Sequence, residues 1–212
     1  MMDFVELSIE EVDRLSRSLA ASVVDSGYRP DLVAYLARGG WLIGKSVAKE
    51  LSCPILELST HRSGDKFKAK NSRLLRAIPH AARKYLRTIE ITKRLKQTDA
   101  THGKRLHITD RYNAPEQANA ILLVDDSADT GVSLRAAVEL LREAYPSADI
   151  KIAVFNVFRE ARRQVDIPIS LYEDTLLCLP SSKDSRDYER FLIGYSRPER
   201  FESDVEKEAQ SE

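Results

Sequence analysis

The chain has little of what would tie it to an oxidising compartment, a membrane or a preformed metal cage. Cysteine occurs twice in 212 residues, at Cys53 and Cys178. Two thiols so far apart give neither a disulfide framework nor metal-ligand spacing, and both are read as apolar packing residues. His61, His80, His102 and His107 show no paired spacing and are read as surface or satisfied core residues. No apolar run approaches the ~20 residues a membrane span needs. The opening Met-Met-Asp-Phe-Val-Glu lacks the basic-then-apolar order of a signal peptide. The expectation is a cytoplasmic protein with no membrane partner. Internal repeats are missing too, and net charge is zero. With 42% hydrophobic and 31% charged residues, the composition is that of one globular domain with a full core.

Zero net charge conceals an uneven distribution. Residues 62–105 hold 14 Lys or Arg against Asp65, Glu90 and Asp99, a net of +11 that the rest of the chain balances. A handful of cations would neutralise a small polyanion, so this segment is either a solvated basic helical face or a surface for nucleic acid. From Glu199 onward, six acids, two basic residues and few apolar ones describe a disordered acidic tail, 199–212.

The densest chemistry lies in Ile121-Leu122-Leu123-Val124-Asp125-Asp126-Ser127-Ala128-Asp129-Thr130-Gly131-Val132-Ser133-Leu134. Four branched apolar residues predict a strand buried on both faces, and Leu134, Val138 and Leu141 start a helical pattern just after Ser133. Carboxylates at the end of such a strand sit where open α/β sheets bind ligands, and they cannot be packed away without a partner. Asp125 and Asp126 therefore call for hydroxyls, a metal ion or both. Thr130, Gly131 and Ser133 open a helix whose first amides lack intrahelical acceptors, which makes a phosphate cradle. Gly131 lets the backbone approach the anion closely. Two acids, a third acid three residues on, and this cradle suit a sugar phosphate.

This stretch resembles the phosphoribosyl-pyrophosphate (PRPP) binding motif of the type I phosphoribosyltransferases, including hydrophobic strand, acid pair, Asp-Thr-Gly and following hydroxyl. The resemblance extends over residues 8–60 and 106–180. It implies an α/β fold with a doubly wound, mostly parallel sheet, here joined by a small, largely helical basic hood at 61–105, all within a domain spanning 1–198. It further implies a Mg²⁺-dependent transfer of phosphoribose to a nucleobase, a purine above all. By that resemblance Asp125 and Asp126 bind the ribose hydroxyls and Mg²⁺, and Asp129 is the base near the nucleobase nitrogen. Thr130, Gly131, Val132 and Ser133 hold the 5′-phosphate, and Arg38 and Gly39 hold the pyrophosphate. A homo-oligomer is left open.

Elsewhere, Ser8-Ile9-Glu10-Glu11 is a capping box that starts an amphipathic helix ending at Gly27. Leu32 to Ala37 predicts a strand stopping at Arg38-Gly39-Gly40, and Trp41 to Leu51 a helix. Further strands are expected at Pro54 to Ser59, Leu106 to Thr109, Ile150 to Phe155 and Leu176 to Leu179. Within the hood, Ser72 can cap a short helix, Pro79 suits the first turn of another, and Ala82, Tyr85, Leu86 and Ile89 form a narrow apolar stripe.

Two other readings compete. Gly39 to Ser46 matches Gly-x-x-x-x-Gly-Lys-Ser, the phosphate loop of nucleotide hydrolases, with Lys45 and Ser46 in place. Against it, Trp41, Leu42 and Ile43 are bulky where such a loop bares its amides. Alternatively, proteins of the phosphoribosyltransferase fold can be regulators that bind nucleic acid without transferase activity. The acceptor half of the site departs from the purine enzymes. Phe158 stands where they carry a lysine for the purine carbonyl, and Pro180-Ser181-Ser182-Lys183 follows the last strand where they carry a stacking aromatic. Tyr188 or Phe158 is the candidate replacement for that aromatic.

Overall fold

The computed structural model describes residues 2–60, 80–96 and 106–198. Most of the basic segment, including Ser72 and Pro79, and the acidic tail lie outside the described residues.

After β1 (Phe4–Glu6), α1 runs Ile9–Asp25. Its start is the expected capping box: Ser8 accepts from the Glu11 amide, and the Glu11 carboxylate accepts from the Ser8 amide. Such a cap is worth about 1 kcal/mol. Val12, Leu19 and Val23 turn one face inward. β2 (Leu32–Leu36), α2 (Trp41–Leu51) and β3 (Ile55–Thr60) follow within two residues of the sequence reading. Then come α3 (His80–Lys96), β4 (Leu106–Ile108), β5 (Ala120–Ala128), α4 (Val132–Ala144) and β6 (Asp149–Val157). The chain closes through α5 (Arg159–Arg162), β7 (Ile169–Glu173), β8 (Leu176–Cys178) and α6 (Tyr188–Ser196).

Among the described residues the main sheet has six strands in the order β4-β3-β2-β5-β6-β7, parallel throughout except for the antiparallel edge strand β4. Along β5, Leu122 and Val124 enter the core shared with α1 and α2, whereas Ile121 and Leu123 enter the one shared with α4. Period-two alternation between two helical layers is why this run is apolar at every position. The order reverses direction between β2 and β5, so a crevice opens at their carboxyl ends.

Two expectations change. β8 is not a member of the main sheet but pairs with β1 in a separate parallel pair. β5 continues through the acids to Ala128, because Ser127 and Ala128 remain in register with Asn156 and Val157 of β6. On α3, Ala82 and Tyr85 of the apolar stripe are exposed, Tyr85 at 67%, and Ile89 is half-buried. The face carrying Arg87, Ile91 and Leu95 is half-buried as well.

Candidate active site

β5 outlasts its neighbour: the β2–β5 ladder ends at the Tyr35–Val124 pair. Asp125 and Asp126 therefore emerge beside the turn that follows β2. The Ala37–Arg38 peptide in that turn is cis. A Cβ at Gly39 would overlap the Asp126 carboxylate, and one at Gly40 would stand 3.0 Å from the Leu36 carbonyl and 3.4 Å from Asp125 Oδ1. The bare backbone of Arg38-Gly39-Gly40 is thus what allows the turn and the acid pair to share the crevice.

Burial first, then the charges of Asp126 and Asp129, pushes the Asp125 carboxyl well above its ordinary range. Asp126 is raised to about 6 by burial and by Asp129, with the Ser127 amide (2.7 Å to Oδ1) and the Arg87 charge pulling the other way. Carboxylates that repel one another in a crevice are incomplete without a cation. Hard oxygen donors of this kind suit Mg²⁺, which takes one or two carboxylates and completes its shell from water and phosphate oxygens. Among the described residues no three His, Cys, Asp or Glu side chains converge as a ready-made cage, and such a mode of binding needs none.

The third acid is held separately. Asp129 Oδ1 accepts from the Ser127 hydroxyl at 3.2 Å. Gly131 then takes φ 78°, and a Cβ there would lie 3.1 Å from the Ala161 carbonyl. This left-handed residue is the N-cap of α4, which begins at Val132, two residues earlier than expected, with no side-chain cap over its first amides. The amides after Gly131 are therefore available to an anion, beside the exposed Ser133. Arg38, Gly39, Asp125, Asp126, Asp129, Thr130, Gly131, Val132 and Ser133 all lie at the carboxyl ends of β2 and β5.

The hydrolase-type loop does not form. Gly40 caps α2, Lys45 Nζ stands 5.7 Å from the centroid of the Trp41 ring, and Ser46 donates to Asp13 of α1 at 2.7 Å. The bulky residues that would have wrapped a phosphate are buried instead: Trp41 is edge-on to Phe191 and Tyr195 of α6, with centroids 5.6 and 5.5 Å away.

Behind the β2 turn is a polar cluster that pattern reading missed. Glu57, buried on β3, accepts from Tyr35 and, at 3.1 Å, from Tyr195, with Arg111 Nη1 3.6 Å away. The Tyr195 ring carries Arg111 at 4.2 Å and Arg38 at 5.8 Å. Burial and the Glu57 charge push the Tyr195 phenol up to about 12. One acid within the apolar run Ile55-Leu56-Glu57-Leu58 was the available signal, because a buried carboxylate demands donors.

The hood helix α3 docks through Arg87. Its guanidinium forms a two-toothed pair with Asp184 (3.0 and 2.6 Å) and donates to the Leu177 carbonyl at 2.5 Å. Over the ends of β6 and β7 a cavity of about 390 Å³ is lined by Met2, Leu95, Phe158, Arg159, Glu160 and Asp174. Phe158 is 1% and Tyr188 5% exposed, so neither ring has a face to offer a stacked base. Both are core residues, a correction to the sequence expectation.

A model of the phosphoribosyl transferase domain family matches residues 7–175. No curated protein matches the chain by sequence. Among solved structures, the purine phosphoribosyltransferase of Pyrococcus horikoshii Ot3 is similar at TM-score 0.55 and 18% identity, covering 85% of this chain and 95% of that one. The xanthine-guanine-hypoxanthine phosphoribosyltransferase of Helicobacter pylori gives 0.57 and 14%, covering 90% and 99%. A hypothetical protein from Neisseria gonorrhoeae with bound ppGpp gives 0.52 and 14%, covering 91% and 96%.

Proposed function

Because the chain belongs to the phosphoribosyl transferase domain family, we propose that this phosphoribosyltransferase is Mg²⁺-dependent and moves phosphoribose from PRPP to a nucleobase, a purine first, releasing pyrophosphate. The observation that carries the reading is the meeting, at one crevice, of a repelling acid pair, a glycine turn and an open helix N-terminus. We assign the whole of 1–198 to this domain, with 61–105 as its insertion.

Breaking the bond from C1 to pyrophosphate leaves a ribose with oxocarbenium character and a departing polyanion. Asp125 and Asp126 bind the ribose hydroxyls and would hold Mg²⁺, which would supply charge neutralisation to the pyrophosphate. Arg38 and the Gly39 backbone bind that leaving group. Thr130, Gly131, Val132 and Ser133 anchor the 5′-phosphate, fixing C1 relative to Asp129. Asp129 takes the proton of the incoming ring nitrogen.

Isothermal titration with PRPP, with and without Mg²⁺, followed by pyrophosphate release with a panel of nucleobases, tests the reading. Heat with PRPP only when Mg²⁺ is present, and release with a purine, is the expected result; unchanged PRPP affinity in Asp125→Asn/Asp126→Asn sinks it.

The net charge of +11 in residues 62–105 favours a second reading for that segment, a surface for nucleic acid. Duplex binding would then weaken with salt at a log-log slope of about −0.9 per phosphate neutralised. Lys93→Glu/Arg94→Glu/Lys96→Glu would remove it without changing PRPP affinity. A flat salt response returns the segment to the hood alone.

A further inference from the structure

Asn156 is fully buried on β6, one amide within the apolar run Ala153-Val154-Phe155-Asn156-Val157-Phe158. Its orientation is fixed by a backbone donor. The Thr175 amide hydrogen points at Oδ1 (3.1 Å), so that atom is the carbonyl oxygen and the Asn156 NH₂ faces the other way, donating to Ser127 Oγ at 3.2 Å. Ser127 and Asn156 are register partners across the β5–β6 ladder, so the contact follows from strand pairing and not from a chance rotamer. With one lone pair of the serine oxygen taken by Asn156, the serine hydrogen is left to donate onward, and Asp129 Oδ1 receives it at 3.2 Å. The direction of donation runs from the Thr175 amide through Asn156 and Ser127 to Asp129.

We propose that Asn156 and Ser127 are positioning residues that hold the Asp129 carboxylate oriented toward the incoming acceptor. The inference rests on the role given to Asp129 above. Neither residue touches substrate. Asn156 works through Ser127, and Ser127 through Asp129. Satisfying the Thr175 amide alone would need an acceptor on β6 and no serine opposite it. The serine is what turns a buried amide into a support for the third acid. The same residue also points its backbone amide at Asp126 Oδ1, at 2.7 Å, so Ser127 meets two acids, Asp126 through its amide and Asp129 through its hydroxyl.

The test uses the full chain with Ser127→Ala, Ser127→Thr and Asn156→Leu. Titration with Mg²⁺ and PRPP measures binding; pyrophosphate release with adenine, guanine, hypoxanthine and xanthine measures turnover. Expected are PRPP affinities within about twofold of the parent and a kcat lowered ~10- to 100-fold in Ser127→Ala and Asn156→Leu, the range that one hydrogen bond to a charged group corresponds to. Ser127→Thr, which keeps the hydroxyl, is expected to restore most of what Ser127→Ala loses. A purely structural role would lower stability and spare kcat. A second measurement needs no acceptor: Asp129→Ala should shift the Asn156 side-chain amide resonances, although these two residues share no direct bond. Resonances that stay in place overturn the relay. So does turnover at the parental rate in both Ser127→Ala and Asn156→Leu while Asp129→Asn is inactive, an outcome that leaves the proposed function standing. If Asp129→Asn itself turns over normally, the role of Asp129 fails, and the resonance shift still reports whether the relay exists.

Discussion

Gly39 lies against the Asp126 carboxylate so closely that the smallest side chain would overlap it. The first prediction follows: Gly39→Ala forces either the turn or the acid to move. Overpacking of this kind costs about 1–3 kcal/mol. PRPP affinity is expected to fall at least ~10-fold, which corresponds to about 1.4 kcal/mol, and urea unfolding should report the accompanying loss of stability. Unaltered binding and stability would contradict the contact.

A second prediction concerns pH. Burial and Asp129 raise the Asp126 carboxyl to about 6. Its ionisation is therefore disfavoured in the folded chain relative to the unfolded one. The stability tied to the protonated form is fully present below the ordinary carboxylate range and is lost as pH rises through about 6. Without Mg²⁺, the Tm should decline across that interval, and Asp126→Asn should flatten the decline while weakening PRPP binding. A steeper decline in the variant would reverse the sign of the argument.

Third, Arg87→Ala should release the hood helix. It removes a paired guanidinium whose side chain is 20% exposed and leaves Asp184 and the Leu177 carbonyl without those bonds. A cost of about 2–4 kcal/mol is expected, from hydrogen bonds to charged groups in a partly buried setting. Hydrogen exchange of the α3 amides should quicken selectively, with the β5 amides unaltered. Uniform quickening throughout the sheet would mean that Arg87 stabilises the whole fold and not the hood.

The fourth prediction separates the two phosphate loops. Lys45 packs on Trp41, and Ser46 bonds Asp13 of α1. Lys45→Ala should therefore cost at least the ~0.5–1 kcal/mol of a cation–π contact. PRPP affinity should remain within about twofold. ATP bound by the parent and not by Lys45→Ala would restore the hydrolase reading.

The parts of the fold legible in sequence are those fixed by local pattern. The capping box at Ser8, the apolar run of Ile121 to Val124 and the helix from Trp41 each depend on neighbours a few residues away. The continuation of β5 through Asp125 to Ala128 was not legible, because it depends on pairing with Asn156 and Val157. Asn156 and Glu57 each interrupt an apolar strand, which flags a buried polar group but not its partners. Those partners come from Thr175, Ser127, Tyr35 and Tyr195, far off in sequence. Pattern placed β8 among the sheet strands since a short apolar run looks alike in either sheet, and its pairing with Phe4 to Glu6 carries no periodicity of its own. That the acids, the glycine turn and Thr130 to Ser133 lie together at the strand ends was legible because they are concentrated in two short stretches.

The dock of α3 has a bearing on how the chain can be cut. The family match ends at residue 175, and among the described residues the groups that the Arg87 guanidinium hydrogen-bonds lie beyond it: Leu177, Cys178 and Asp184. Tyr195, which braces Glu57 and stacks under Arg38, lies farther still. A fragment trimmed to the matched span would retain Asp125, Asp126, Asp129 and the amides that open α4, yet it would shed the fastening of α3 and the ring beside the turn that follows β2. The boundary drawn by likeness and the boundary drawn by load are different places in this chain, about twenty residues apart.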